Sequence, residues 1–206
     1  MSTRQSLAQS PSGFAGMLFG KLMEWINSSA YRKALKALKP ISNERYLEIG
    51  FGTGLFAEML LSSTPNAMMA GIDPTPTMVQ TAQKRLTKRG FGQQIDIREG
   101  TDETLAWSDN YFDAVVAIHS FQFWKDPAHT IKEIHRILKA DGRVVIVFRH
   151  HSSNPPALLP NPISRSGKEI EMAMNLLEQN GFHCKEYPAA GRSRIVRADH
   201  KKGESA

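Results

Sequence analysis

The sequence predicts an α/β fold: a seven-stranded, mostly parallel sheet with helices on both faces, ending in an antiparallel C-terminal strand pair. Three observations carry this. Short extended runs alternate with helical periodicity from Arg45 to Phe148, and such alternation produces right-handed crossovers above and below a parallel sheet. Phe112–Ile118 and Arg143–Phe148 are strongly apolar, as strands buried on both faces are. Two late extended runs, Phe182–Tyr187 and Ser193–His200, flank an Ala-Ala-Gly-Arg segment that reads as a hairpin turn.

In chain order, Phe14–Leu38 repeats apolar residues at helical spacing, with Asn27-Ser28-Ser29 as a break point and Pro40 as a stop. Arg45–Ile49 is the first strand, and Leu55, Phe56, Met59 and Leu60 mark the next helix. Ala67–Ile72 is the second strand. Thr75 is placed to cap a helix that has Pro76 at its first position and Met78, Val79, Ala82 and Leu86 on its buried face. Gln94–Arg98 is the third strand and Phe112–Ile118 the fourth. A helix from Asp126-Pro127 carries Ile131, Ile134 and Leu138 and ends near Gly142, before the fifth strand at Arg143–Phe148. A Pro- and Ser-rich loop, Ser152–Ser166, leads to a last helix at about Lys168–Asn180, stopped by Gly181.

Composition narrows the function less than the motifs do. One cysteine, Cys184, leaves no internal disulfide and no cysteine-rich metal site, and no metal is expected. No stretch reaches the roughly 20 apolar residues of a membrane span, and Met1–Ser12 lacks the order of a signal peptide, so a cytoplasmic protein is expected. The net charge of +6 suits an acidic partner, but much of it lies on ordinary helix faces and in the tail.

The strongest local signal is Glu48-Ile49-Gly50-Phe51-Gly52-Thr53-Gly54, a strand that runs through a glycine-dense turn into a helix. Glycines let a ligand approach the backbone, and the helix start offers unpaired N–H groups. A dinucleotide site needs G-x-G-x-x-G, whereas the spacing here is G-x-G-x-G with Leu55 at the last glycine position. Glu48 would also repel a pyrophosphate; a cationic or zwitterionic ligand suits it better. Asp73 ends the second strand, where a carboxylate can accept from two ribose hydroxyls. Capping of the following helix is its competing role.

These residues resemble a known family. Glu48 to Gly54 is similar to the first motif of class I S-adenosylmethionine (SAM)-dependent methyltransferases. Phe112-Asp113-Ala114-Val115-Val116 and the stretch from Ile134 to Gly142 resemble later segments of the methyltransferase type 11 group, which includes quinone-biosynthesis methyltransferases. The resemblance implies a Rossmann-like fold with SAM as cofactor. It implies that Gly50, Gly52 and Gly54 pass under the methionine and ribose, that Glu48 meets the ammonium, and that Asp73 holds the ribose. Pro74 would pack on the adenine. The family's usual acid after the third strand is replaced by Thr101, so either Thr101 or Asp102 contacts the adenine amino group. After the fourth strand, Ile118 and His119 would close on the methionine and face the acceptor.

Methyl transfer needs alignment more than proton chemistry. Should a general base act, His119 is the first candidate, with His150 or His151 second. The Asn/Asp-Pro-Pro-aromatic signature of amine methylation is missing after the fourth strand, and Cys184 is not placed as a nucleophile. A small-molecule acceptor is therefore expected, with nucleic acid less favoured. A SAM-binding partner or sensor without transferase activity is the alternative from another class. The expected organisation is a flexible end over residues 1–12, a helical lid over 13–40 and a SAM-binding domain over 41–202.

Overall fold

A computed structural model describes residues 28–150, 165–188 and 193–201. Seven strands, β1 (Arg45–Ile49), β2 (Met68–Asp73), β3 (Ile95–Glu99), β4 (Phe112–Ile118), β5 (Leu138–Arg149), β6 (Phe182–Tyr187) and β7 (Ser193–His200), form one sheet in the order β3-β2-β1-β4-β5-β7-β6. Strands β1 to β5 are mutually parallel, and β7 runs antiparallel to both β5 and β6. The bounds expected for β1, β4, β6 and β7 match those observed.

Side chains leave each strand on alternate faces, so the sheet divides two cores. Leu47, Val115, Ala117, Val144 and Ile146 face one layer, formed by α4 (Pro127–Ile137) and α5 (Gly167–Gln179). Tyr46, Ala114, Val116, Val145 and Val147 face the other. That second layer is α1 (residues 28–38), α2 (Leu55–Ser63) and α3 (Pro76–Lys88). Chain direction across the sheet reverses between β1 and β4: β2 and β3 extend one way, β5 the other. Open α/β sheets bind ligands at this switch, beyond the C-terminal ends of the strands.

Helix α1 is seated by small residues. Ala30, Ala34 and Ala37 form a buried stripe, Leu38 is buried, and the Tyr31 ring lies 6.4 Å from that of Phe56. Its last carbonyls are held by two arginines. Arg143 donates to Leu38 O at 2.7 Å and Lys39 O at 3.1 Å, and Arg197 donates to Ala37 O at 2.9 Å. Arg143 also pairs with Glu44 at 2.6 Å. Residues 28–38 are thus part of the core; residues 13–27 of the expected lid lie outside the described residues, as do most of the Ser152–Ser166 loop and the Ala-Ala-Gly-Arg turn.

Two local expectations fail. The helix α4 stops at Ile137, not near Gly142, and Leu138 opens β5 instead of closing the helix. Phe112 pairs with Leu138 while Ala114 pairs with Arg143, so the Lys139–Gly142 segment bulges from the ladder. Gly142 permits this, since a Cβ there would lie 2.8 Å from Lys139 O. Leu138 remains buried either way, which is why periodicity alone did not separate helix from strand. At α3, Thr75 occupies the N-cap position but its side chain makes no capping bond. Asp73 accepts from Thr75 N–H instead, at 2.9 Å.

Candidate active site

The turn after β1 is locked onto the turn after β4. Gly50, at φ +76°, donates its N–H to Ile72 O at 2.8 Å. A Cβ on Gly50 would come within 2.6 Å of Ser120 Cβ, and the Ser120 hydroxyl donates to Ile49 O at 2.6 Å. Gly54, the N-cap of α2, lies against α3, where a Cβ would meet that of Ala82 at 2.8 Å. These two glycines are required by the fold itself. Gly52, at φ +55°, differs: a Cβ there would meet nothing within 4 Å. The open space of the turn is at Gly52. Between them Phe51 is buried against Gly71 of β2, where a Cβ would lie 2.6 Å from the ring.

Two carboxylates sit beneath this turn. Asp73, only 6% exposed, accepts from Gly52 N–H and Thr75 N–H, each at 2.9 Å. It therefore ties the glycine turn to the start of α3. Burial raises its pKa, and the two N–H bonds oppose that rise. Glu48 is 2% exposed, and its Oε2 has no hydrogen-bond partner. Burial, reinforced by the charge of Asp73, pushes the Glu48 carboxyl well above the usual range. A buried carboxylate without a partner is costly, and a cation placed beside it removes the cost.

The remaining candidates divide. Pro74 is exposed and Ile118 is buried at the end of β4. Thr101 is exposed, with its hydroxyl 3.5 Å from Glu103, whereas Asp102 accepts from the Thr130 hydroxyl of α4 at 2.7 Å. His119 follows β4 directly. Its backbone is left-handed at φ +53°, its N–H donates to Val147 O at 2.9 Å, and its Nε2 lies 3.1 Å from the Ser193 hydroxyl of β7. Its Nδ1 is buried without a partner. Burial and the nearby Arg149 cation push the imidazole down to about 3, so it is neutral at ordinary pH and only weakly basic. The Gln122 amide donates to His119 O, fixing the turn, and its Oε1 is left buried and unpaired. His150 makes an isolated β-bridge to Arg165, and His151 lies outside the described residues. Among the described residues, no group of three or more His, Cys, Asp or Glu could hold a metal ion.

Ser120 and Ser193 carry no signal in the sequence. Each acts on a residue more than 70 positions away, and only the strand order brings them together.

The site fits SAM on two observations: the orphaned Glu48 carboxylate, matched to an ammonium, and the open space at Gly52 above it. Comparison with known proteins agrees. The family described as methyltransferase domain (Methyltransf_11) matches residues 47–146. YdaC of Bacillus subtilis, an uncharacterised methyltransferase, is 26% identical over 133 residues, which cover 65% of this chain and 71% of that protein. UbiE of Geotalea uraniireducens, a ubiquinone/menaquinone biosynthesis C-methyltransferase, is 32% identical over 117 residues, 56% of this chain and 50% of UbiE. The matched region thus spans about half the length of UbiE. A SAM-dependent methyltransferase from Aquifex aeolicus superposes with a TM-score of 0.73 at 17% identity, covering 89% of this chain and 97% of that one, a likeness of fold.

Residues 47–146 match a methyltransferase domain of the class I SAM-dependent kind, and the cofactor of that family is SAM. The matched domain is of the type 11 group, and relatives of the same region include quinone-biosynthesis methyltransferases.

Proposed function

We propose that the protein transfers a methyl group from SAM to a small-molecule acceptor, with a quinol-like aromatic ring as the acceptor class. The unpartnered Glu48 carboxylate beneath the glycine turn carries the cofactor part; the name of the UbiE relative supports the acceptor class. When bound, SAM supplies a methyl group already activated on a sulfonium, so the protein's work is alignment and exclusion of water.

Each residue then has a task. Glu48 takes the ammonium. Asp73 accepts the two backbone N–H bonds that hold the turn, and its remaining acceptor capacity serves the ribose hydroxyls. Gly52 leaves room for the cofactor, while Pro74 and Ile118 line it. The bond that holds Asp102 to Thr130 of α4 favours Thr101 as the residue at the adenine edge. His119 faces the acceptor as a neutral imidazole. With a pKa near 3 it acts by hydrogen bonding through Nδ1 rather than as a strong base.

The test is incubation of the purified protein with methyl-labelled SAM and a panel of demethylated quinols, simple phenols and transfer RNA. The expected result is label on a quinol or phenol. His119→Ala should lower kcat at least tenfold while leaving S-adenosylhomocysteine affinity within about threefold, as loss of a positioning or proton-handling group does. Cofactor binding without transfer to any acceptor would favour a SAM-binding partner protein. Transfer to RNA alone would overturn the small-molecule assignment.

A further inference from the structure

The two helical layers differ in charge. On α1, Arg32 and Lys36 lie on the side away from the buried Ala30, Ala34 and Ala37 stripe, with Lys39 just past its end; on α3, Lys84 and Lys88 lie away from Met78, Ala82 and Leu86, with Arg89 at its C-cap. All six are exposed. The described residues of these three helices hold one acid, Glu58 of α2, and it is already engaged, by Arg89 at 2.7 Å and Arg85 at 3.5 Å. Across the sheet, α4 and α5 carry Glu133, Glu169, Glu171 and Glu178 against Lys132, Arg136 and Lys168. The helix macrodipole accounts for cations in a last turn, but Arg32 and Lys84 precede the last turns of their helices.

We propose that the α1–α2–α3 face docks the protein on an anionic lipid bilayer. Packed helices lie about 8–10 Å apart, so the basic ridges of α1 and α3 stand roughly 20 Å apart with α2 between them. Charge spread over a broad helical face matches a planar array of lipid headgroups. A duplex reader presents an element that enters a groove, and a single-strand binder presents aromatic platforms. Among the described residues, the aromatics of this layer, Tyr31 and Phe56, are turned into the core cluster. Charge holds this face to the lipid, and no helix among the described residues is long and apolar enough to cross a membrane. The cofactor turn opens where α2 and α3 begin, at the rim of the face, and docking leaves it uncovered. Attachment by this face is independent of which acceptor is methylated.

The test is cosedimentation of the full-length protein with phosphatidylcholine vesicles, with and without about one third phosphatidylserine. Binding is expected only to the anionic vesicles and should be lost as salt rises from roughly 0.1 to 0.5 M, where screening shortens to a few ångströms. Each basic residue near such a surface contributes about fivefold in affinity. The Lys36→Glu/Lys84→Glu/Lys88→Glu variant should therefore bind at least a hundredfold more weakly, with S-adenosylhomocysteine affinity unchanged to show that it is folded. Lys168→Glu, on the opposite layer, should bind as the parent does. Absence of vesicle binding would overturn the proposal. So would equal loss in the triple variant and Lys168→Glu, or displacement from vesicles by substoichiometric DNA or RNA, which would make nucleic acid the partner of this face.

Discussion

Glu48→Gln will make the ligand-free protein more stable at neutral pH and the cofactor bind more weakly. The carboxyl of Glu48 is buried and unpaired beside Asp73, and its pKa in the folded protein lies above the ordinary value of 4.5. A carboxyl with a raised folded pKa favours the folded state fully below the unfolded pKa, and this contribution is lost as pH rises through the folded pKa. At pH 4 the parent and Glu48→Gln should melt together. Above the carboxylate range the parent falls behind, by about 1 kcal/mol or roughly 3 °C for a chain of this size. Loss of the charged partner for the cofactor ammonium should cost about 1.5–3 kcal/mol of binding, roughly ten- to a hundredfold in Kd. Thermal melts across pH, with and without S-adenosylhomocysteine, read both effects. A Gln variant less stable at neutral pH, or one with parental affinity, would show that Glu48 is satisfied within the protein and does not await a cation.

Gly50→Ala and Gly52→Ala should fail in different ways although both backbones are left-handed. Alanine in that conformation costs about 1–2 kcal/mol at either position. At Gly50 the new methyl also meets Ser120 Cβ at 2.6 Å, an overpacking that costs about 1–3 kcal/mol more. The expected loss is about 2–5 kcal/mol, roughly 5–15 °C in Tm. At Gly52 the methyl enters open space, so Tm should fall by only a few degrees, while cofactor affinity falls far more than the small stability loss explains. Ser120→Gly added to Gly50→Ala should recover part of the lost stability, because it removes the colliding atom. Equal Tm losses in the two single variants would mean that the turn can shift and that Ser120 does not fix it.

Much of the fold is legible in the sequence because its strands are buried on both faces and bounded by turn residues. The bounds of β1 and β4 follow from apolar runs that stop at Gly50 and His119, and those of β6 and β7 from the turn between them. Where one residue is buried in either conformation, as Leu138 is, periodicity loses its power, and the end of α4 is misplaced. The proposed cofactor side lies within one strand-turn-helix segment and the strand beside it, so Glu48, Gly52 and Asp73 can be read in line. The proposed acceptor side is assembled from distant pieces. The setting of His119 depends on Ser193, Val147, Gln122 and Arg149, and nothing near His119 in the chain announces that burial will keep its ring neutral. Gly71 is invisible for the same reason, since its need to be small comes from Phe51 twenty residues earlier.

The glycine turn, Glu48 and Asp73 are together expected to form a SAM site. Calorimetric titration with S-adenosylhomocysteine tests it most directly. The expected result is saturable binding at one site per chain, with Asp73→Ala weakened roughly ten- to a hundredfold through loss of a charged hydrogen-bond acceptor. Absence of heat with S-adenosylhomocysteine, together with saturable binding of NAD, would contradict it.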